Sequence, residues 1–99
     1  MHARIITRQG SPERLEDARS HFRERVRPEM RQLAGYKGAY LLGDRQRGKI
    51  VGVAPWESEA TARAGAAVLA DKLRLGAECL GMQGQPTSEV LEVLESDER

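Results

Sequence analysis

The sequence predicts an α+β fold with the element order β-α-β-β-α-β, and three observations lead to it. Four short runs are rich in β-branched and aliphatic residues, two longer stretches carry apolar residues at spacings of three and four, and Gly, Pro and Ser punctuate the joins. From Ala3 to Arg8, Ile5 and Ile6 are interleaved with Arg4, Thr7 and Arg8, a β-branched content that favours a strand. Gly10-Ser11-Pro12 stops it. Ser11 suits an N-cap, Pro12 suits the first helical position, where a missing N–H would be unpaired anyway, and Glu13 complements the helix dipole. The first helix therefore starts at Pro12 and buries the stripe Leu15, Ala18, Phe22, Val26, Met30 and Leu33. Pro28 lies inside this stripe. Its ring opposes the carbonyl four residues back, which predicts a kink or break near Arg27 and a short final turn opened by Pro28.

Ala34-Gly35 ends the helix, and Tyr36 to Leu42 reads as the second strand. The polar segment from Gly43 to Gly48 is short enough for a hairpin to a third strand, Lys49 to Trp56, in which Pro55 suggests an edge or a bulge. Ser58 caps the second helix; with Thr61 rather than Glu three residues on, no full capping box is expected. Ala62, Ala66, Leu69, Leu73 and Leu80 share one helical face, while Gly65 and Gly76 weaken the helix locally. Gly81 to Pro86 reads as the longest flexible connection, Ser88 to Leu94 as the fourth strand, and 95–99 as a solvated acidic tail to a single domain, 1–94.

This order is the ferredoxin-like arrangement, a four-stranded antiparallel sheet with two helices on one face. Leu41, Leu42, Ile50, Val51, Val53, Val90, Leu91 and Val93 are too many to lie beneath two helices. A homodimer joined through the open sheet face covers the excess and supplies core that 99 residues lack alone. A hydrophobic fraction of 39% and a charged fraction of 31% describe a globular domain rather than a disordered chain. The net charge of +1 speaks against nucleic acid, and no apolar run approaches the ~20 residues that cross a membrane. One cysteine, Cys79, excludes an intrachain disulfide, and the charged N-terminus does not read as a signal peptide, so a cytoplasmic location is expected.

From Gly35 to Arg45, and again from Val53 to Ala60, the chain resembles the antibiotic biosynthesis monooxygenase family of dimeric α/β barrels. The matching features are Pro28 near the end of the first helix, Gly35-Tyr36 before the second strand, and Trp56-Glu57-Ser58 closing the third. The resemblance implies a dimeric barrel whose pocket, between sheet and helices, accepts a hydrophobic or aromatic small molecule and uses no cofactor. It also implies monooxygenase chemistry, the alternative being a non-catalytic binding or interaction protein of the same fold. Cofactor-free polyketide monooxygenases place an Asn four residues before the Trp and a Tyr six after it; here these are Gly52 and Ala62, which offer no side-chain hydrogen bond. Haem is not expected, because that branch of the superfamily needs an Asn in the first strand and a His in the second helix. This chain has no Asn, and no His after His21.

Four residues are candidates for the pocket. Trp56 can stack on a flat ligand or serve as a packing wedge, and Tyr40 can face either the pocket or the dimer interface. Phe22 is central in the first helical stripe and reads as core. His21, on the flank of that stripe, is the one titrating base inside the folded region, although a solvated surface position is its commoner role. No catalytic triad, metal set or phosphate loop is readable. Cys79 reads as a small buried hydrophobe, and Arg19, Arg23, Arg27 and Arg31, interspersed with acids, as an ion-paired surface.

Overall fold

In the computed structural model, residues 1–97 are described. β1 (His2–Gln9), β2 (Tyr40–Asp44), β3 (Lys49–Trp56) and β4 (Gln83–Glu92) form one sheet in the order β2-β3-β1-β4, every neighbouring pair antiparallel. This is the predicted ferredoxin-like topology, with the helices packed on one face. Even-numbered residues of β1 and β3 point toward the helices: Ile50, Ala54 and Trp56 are buried there, and Ile6 pairs with Gly52. Odd-numbered residues take the opposite face.

The first helical stretch begins at Pro12, as predicted, in a 3₁₀ turn, Pro12–Arg14, followed by α1 (Leu15–His21). A π-helical turn, Phe22–Val26, then precedes α2 (Arg27–Met30), which has Pro28 in its first turn. The expected break falls where Pro28 requires it. With no N–H to donate and a ring against the preceding turn, Pro28 ends the α-helical ladder, and the chain widens upstream instead of fraying. α3 (Glu59–Cys79) clamps this region from outside: Lys72 Nζ lies 2.5 Å from Glu29 Oε2 and donates to the Arg25 carbonyl at 3.5 Å.

Three local expectations need correction. The second strand starts at Tyr40, not Tyr36, because Gly35 and Gly38 adopt positive φ (81° and 123°) and turn the chain out of register. Tyr36 keeps only an isolated bridge to Trp56. β3 is consequently an edge beyond Val53, which is where Pro55 sits, its carbonyl accepting from Lys37 N–H at 3.1 Å. The segment expected to be a flexible connection enters β4 at Gln83, and Pro86 falls within the register shift opposite Arg8, on an edge strand where a missing N–H is tolerated. The capping box does exist. Thr61 Oγ1 accepts from Ser58 N–H at 3.0 Å while Ser58 Oγ accepts from Thr61 N–H at 3.1 Å, so a hydroxyl performs the role usually given to Glu.

Buried side chains gather in two clusters, one of Val26, Met30, Ala54, Trp56, Ala62 and Leu69, the other of Leu15, Ala18, Ile50 and Leu80. Trp56, 1% exposed, anchors the first. It fits because α3 passes it at Gly65: a Cβ there would approach Trp56 Cζ2 to 2.8 Å and Cζ3 to 2.9 Å. Gly65→Ala should therefore destabilise the protein by about 1–3 kcal/mol, against the gain of about 1 kcal/mol that Ala normally brings to a helix. Chemical denaturation followed by Trp56 fluorescence checks this, since no other Trp contributes.

Candidate functional site

Between the two clusters the core does not close. A cavity of about 100 Å³ separates sheet from helices, far more than the roughly 10–15 Å³ that admits one water. Its floor comes from β1 and β3, its roof from α1, the π turn and α3. Small residues make the space: Gly52 on the floor and Ala66, Gly76 and Ala77 on α3 all line it.

Trp56 forms one wall. Its ring meets Tyr36 edge to face, with centroids 5.7 Å apart and planes at 69°, and its Nε1 is buried with no hydrogen-bond partner. Phe22, in the π turn, and His21, at the end of α1, also line the cavity. His21 Nε2 lies 3.3 Å from the Lys72 carbonyl oxygen. A carbonyl only accepts, so Nε2 carries the hydrogen and Nδ1 is the ring atom able to take a proton. Gly76 makes room for this imidazole, since a Cβ there would approach His21 Cδ2 to 2.6 Å. Tyr40 is placed differently. It touches the cavity rim, but it pairs with Val53, shares the parity of the open face and is 69% exposed. The structure thus brings Trp56, Phe22 and His21 around one space and leaves Tyr40 at its edge. The Cys79 side chain lies outside the described residues.

Two residues that the sequence reading passed over stand on the cavity floor. Arg4 and Arg8 alternate with Ile6 along β1, and all three line the cavity. Burial pushes both guanidinium pKa values below their ordinary range, and the charge of Arg8 lowers that of Arg4 further. The signal was available in the Arg-x-Ile-x-Arg alternation, but its parity could point either way until the sheet was placed.

A second, more open groove of about 340 Å³ runs between α1 and β2 and shares Phe22, Leu41 and Ile50 with the cavity. Its border carries much of the expected ion-paired surface. Glu16 Oε1 accepts from Arg45 at 2.7 Å and Glu16 Oε2 from Arg19 at 3.4 Å, tying the β2–β3 turn to α1.

These features define a small α+β domain with an apolar, partly cationic cavity. No protein-family profile matches the chain, and no curated protein matches it; the likeness is in three dimensions. A monooxygenase from Streptomyces coelicolor, solved with the ligand nanaomycin D, superposes with a TM-score of 0.80 at 20% identity, covering 99% of this chain and 91% of that one. A Deinococcus radiodurans protein assigned to the antibiotic biosynthesis monooxygenases gives 0.77 at 15% identity, covering 100% and 98%. SnoaB, a cofactor-independent oxygenase from Streptomyces nogalater, gives 0.67 at 15%, covering 96% and 95%. The chain has the fold of the antibiotic biosynthesis monooxygenases. A Nitrosomonas europaea protein of unknown function shares it equally well, with a TM-score of 0.77 at 19% identity over 99% of this chain and 93% of that one.

The Arg45 hydrogen bond, followed by its charge, holds the Glu16 carboxyl below the usual glutamate range. A depressed carboxyl pKa stabilises the folded state above the unfolded value, about 4.3, and that contribution is lost as pH falls through the lower folded value. A carboxyl titration by NMR should place the Glu16 midpoint below about 4.3 in the native protein, and Arg45→Gln should return it upward. An unchanged midpoint in that variant would show that the pair does not persist in solution.

Proposed function

We propose that this protein is a cofactor-free oxygenase whose cavity binds a flat, hydrophobic or aromatic small molecule. The observation that carries this reading is an apolar cavity walled by Trp56, whose buried indole N–H has no partner. An unpaired buried donor costs about 1–3 kcal/mol, which a ligand oxygen would recover. The cavity is large for a packing defect. The proposed chemistry uses a substrate that is itself the reductant. For an anthrone, the ring methylene and dioxygen give a ring carbonyl and water, both oxygen atoms being accounted for. In this scheme Trp56 and Phe22 hold the ring plane, His21 Nδ1 accepts the proton whose loss makes the substrate electron-rich, and a ligand seated against the apolar walls displaces water from them.

Oxygen uptake with a panel of hydroquinones and anthrones tests the proposal. At least one should be turned over, and Trp56→Phe should lower kcat/KM about tenfold, the equivalent of one lost hydrogen bond. No uptake across the panel, or equal rates for both proteins, would remove the catalytic reading. A second reading, a binding protein of the same fold, is favoured by Gly52, which lines the cavity without a side chain, and by Ala62, which carries no polar group. Under it, a ligand raises the melting temperature with concentration and is recovered unchanged.

The same reading includes a homodimer. Tyr40, Leu42 and Leu91 are 69%, 51% and 47% exposed, and with Ile5, Val51 and Val53 they make the uncovered sheet face apolar. A second copy brings an identical face, and two such sheets back to back bury well over ~1,500 Å². Light scattering at micromolar concentration should give twice the chain mass, and Val53→Asp, whose side chain is on that face, should dissociate or unfold the dimer. A folded native monomer at that concentration would overturn this assembly.

A further inference from the structure

The floor of the cavity holds two positive charges that the fold itself does not answer. Arg4 pairs with Ala54 on one side and Val90 on the other, and Arg8 pairs with Ile50. β1 is a central strand here, and side chains at these positions face the helices and line the cavity. Both residues are partly buried. Among the described residues neither makes a side-chain hydrogen bond or an ion pair, and no Asp or Glu lines the cavity. Elsewhere this chain pairs its arginines freely, as Arg45 with Glu16, Arg47 with Asp44 and Arg63 with Glu59 show. Arg4 and Arg8 differ from these in being partly buried on an apolar cavity floor with no acid lining it, a setting in which an unpaired cation costs more than it does in full solvent.

Resting on the reading of this cavity as a ligand site, we propose that it selects an anion: a flat aromatic body carrying a carboxylate or an ionised ring hydroxyl, with its oxyanion held by Arg4 and Arg8 and its rings against Trp56 and Phe22. The two halves of the cavity match the two halves of such a molecule. A guanidinium offers planar paired donors to an oxyanion and remains charged despite partial burial, which an ammonium would do less readily. The apolar walls accept the ring system, and low local polarity strengthens the charge-assisted hydrogen bonds. One anion also relieves the repulsion between the two arginines, so ligand binding and the relief of a folding strain are one event. A neutral aromatic ligand of equal shape would fill the space and leave both cations unanswered.

Isothermal titration with two matched pairs tests this: naphthoate against naphthamide for the carboxylate, and hydroxynaphthoquinone, ionised at neutral pH, against its methyl ether for the ring oxyanion. At least one anion should bind about tenfold or more tightly than its neutral counterpart. Arg4→Gln and Arg8→Gln should each reduce that preference, and the double variant should abolish it. Arg4→Lys should retain part of it. Which pair shows the preference identifies the oxyanion. Equal affinity within both pairs, or a preference that survives the double substitution, would overturn the anion proposal and leave the ligand site standing. Failure of all four probes to bind would sink both. A readout without ligand is independent of these: Arg4→Met should raise the melting temperature by removing a desolvated, repelled charge, whereas a fall would show that Arg4 is held by the fold and would also overturn the proposal.

Discussion

A whole indole is buried where β3 ends, and much of the molecule is arranged around that burial. Trp56 closes the last turn of the sheet, and the next two residues start the second half of the fold: Glu57 N–H donates to the Gly35 carbonyl at 2.7 Å, and Ser58 opens α3 through its reciprocal bonds with Thr61. Gly35 has no Cβ where one would stand 2.7 Å from Thr61 Cβ, and Gly65 has none where α3 crosses the ring. Two absent methyl groups thus let the helix and the preceding loop close on the aromatic. The direction of α3, and with it the roof of the cavity, follows from that contact.

The cavity survives because the chain places small residues opposite one another on both layers. Gly52 on the sheet faces a helical layer in which Ala66, Gly76 and Ala77 line the same space, so neither layer fills it. Pro28 adds a second cause. By forcing the π turn at Phe22–Val26, it changes the helical phase between the residues of α1 and those of α2, and Phe22 borders both the cavity and the outer groove. Local backbone chemistry in one helix therefore contributes to the shape of a cavity assembled from both layers of the fold.

Charge is distributed with the same asymmetry. On the surface Arg14, Arg19 and Arg63 sit beside acids at three- or four-residue spacing and gain little individually. On the cavity floor Arg4 and Arg8 have no acids beside them. The open sheet face shows the complementary pattern, apolar side chains where a solvated antiparallel sheet would carry polar ones. The proposed small-molecule ligand rests on the first of these departures and the proposed second copy on the other.

Periodicity and punctuation were enough to determine the element order, the helix start at Pro12, the break before Pro28, the buried stripe of α3 and the excess of apolar strand residues, because each depends on neighbours within a few positions. Trp56, Phe22 and His21 were legible as pocket candidates from residue type and from the family resemblance. Tertiary structure decided the rest. The start of β2 depended on two glycines adopting positive φ, the start of β4 on pairing with β1 across a bulge, and the capping box on a threonine hydroxyl reaching a backbone N–H. Tyr40 and Arg4 show the limit most plainly: a strand residue points to one face or the other according to register, and register is set by partners some 13 to 86 positions away, which no local pattern contains.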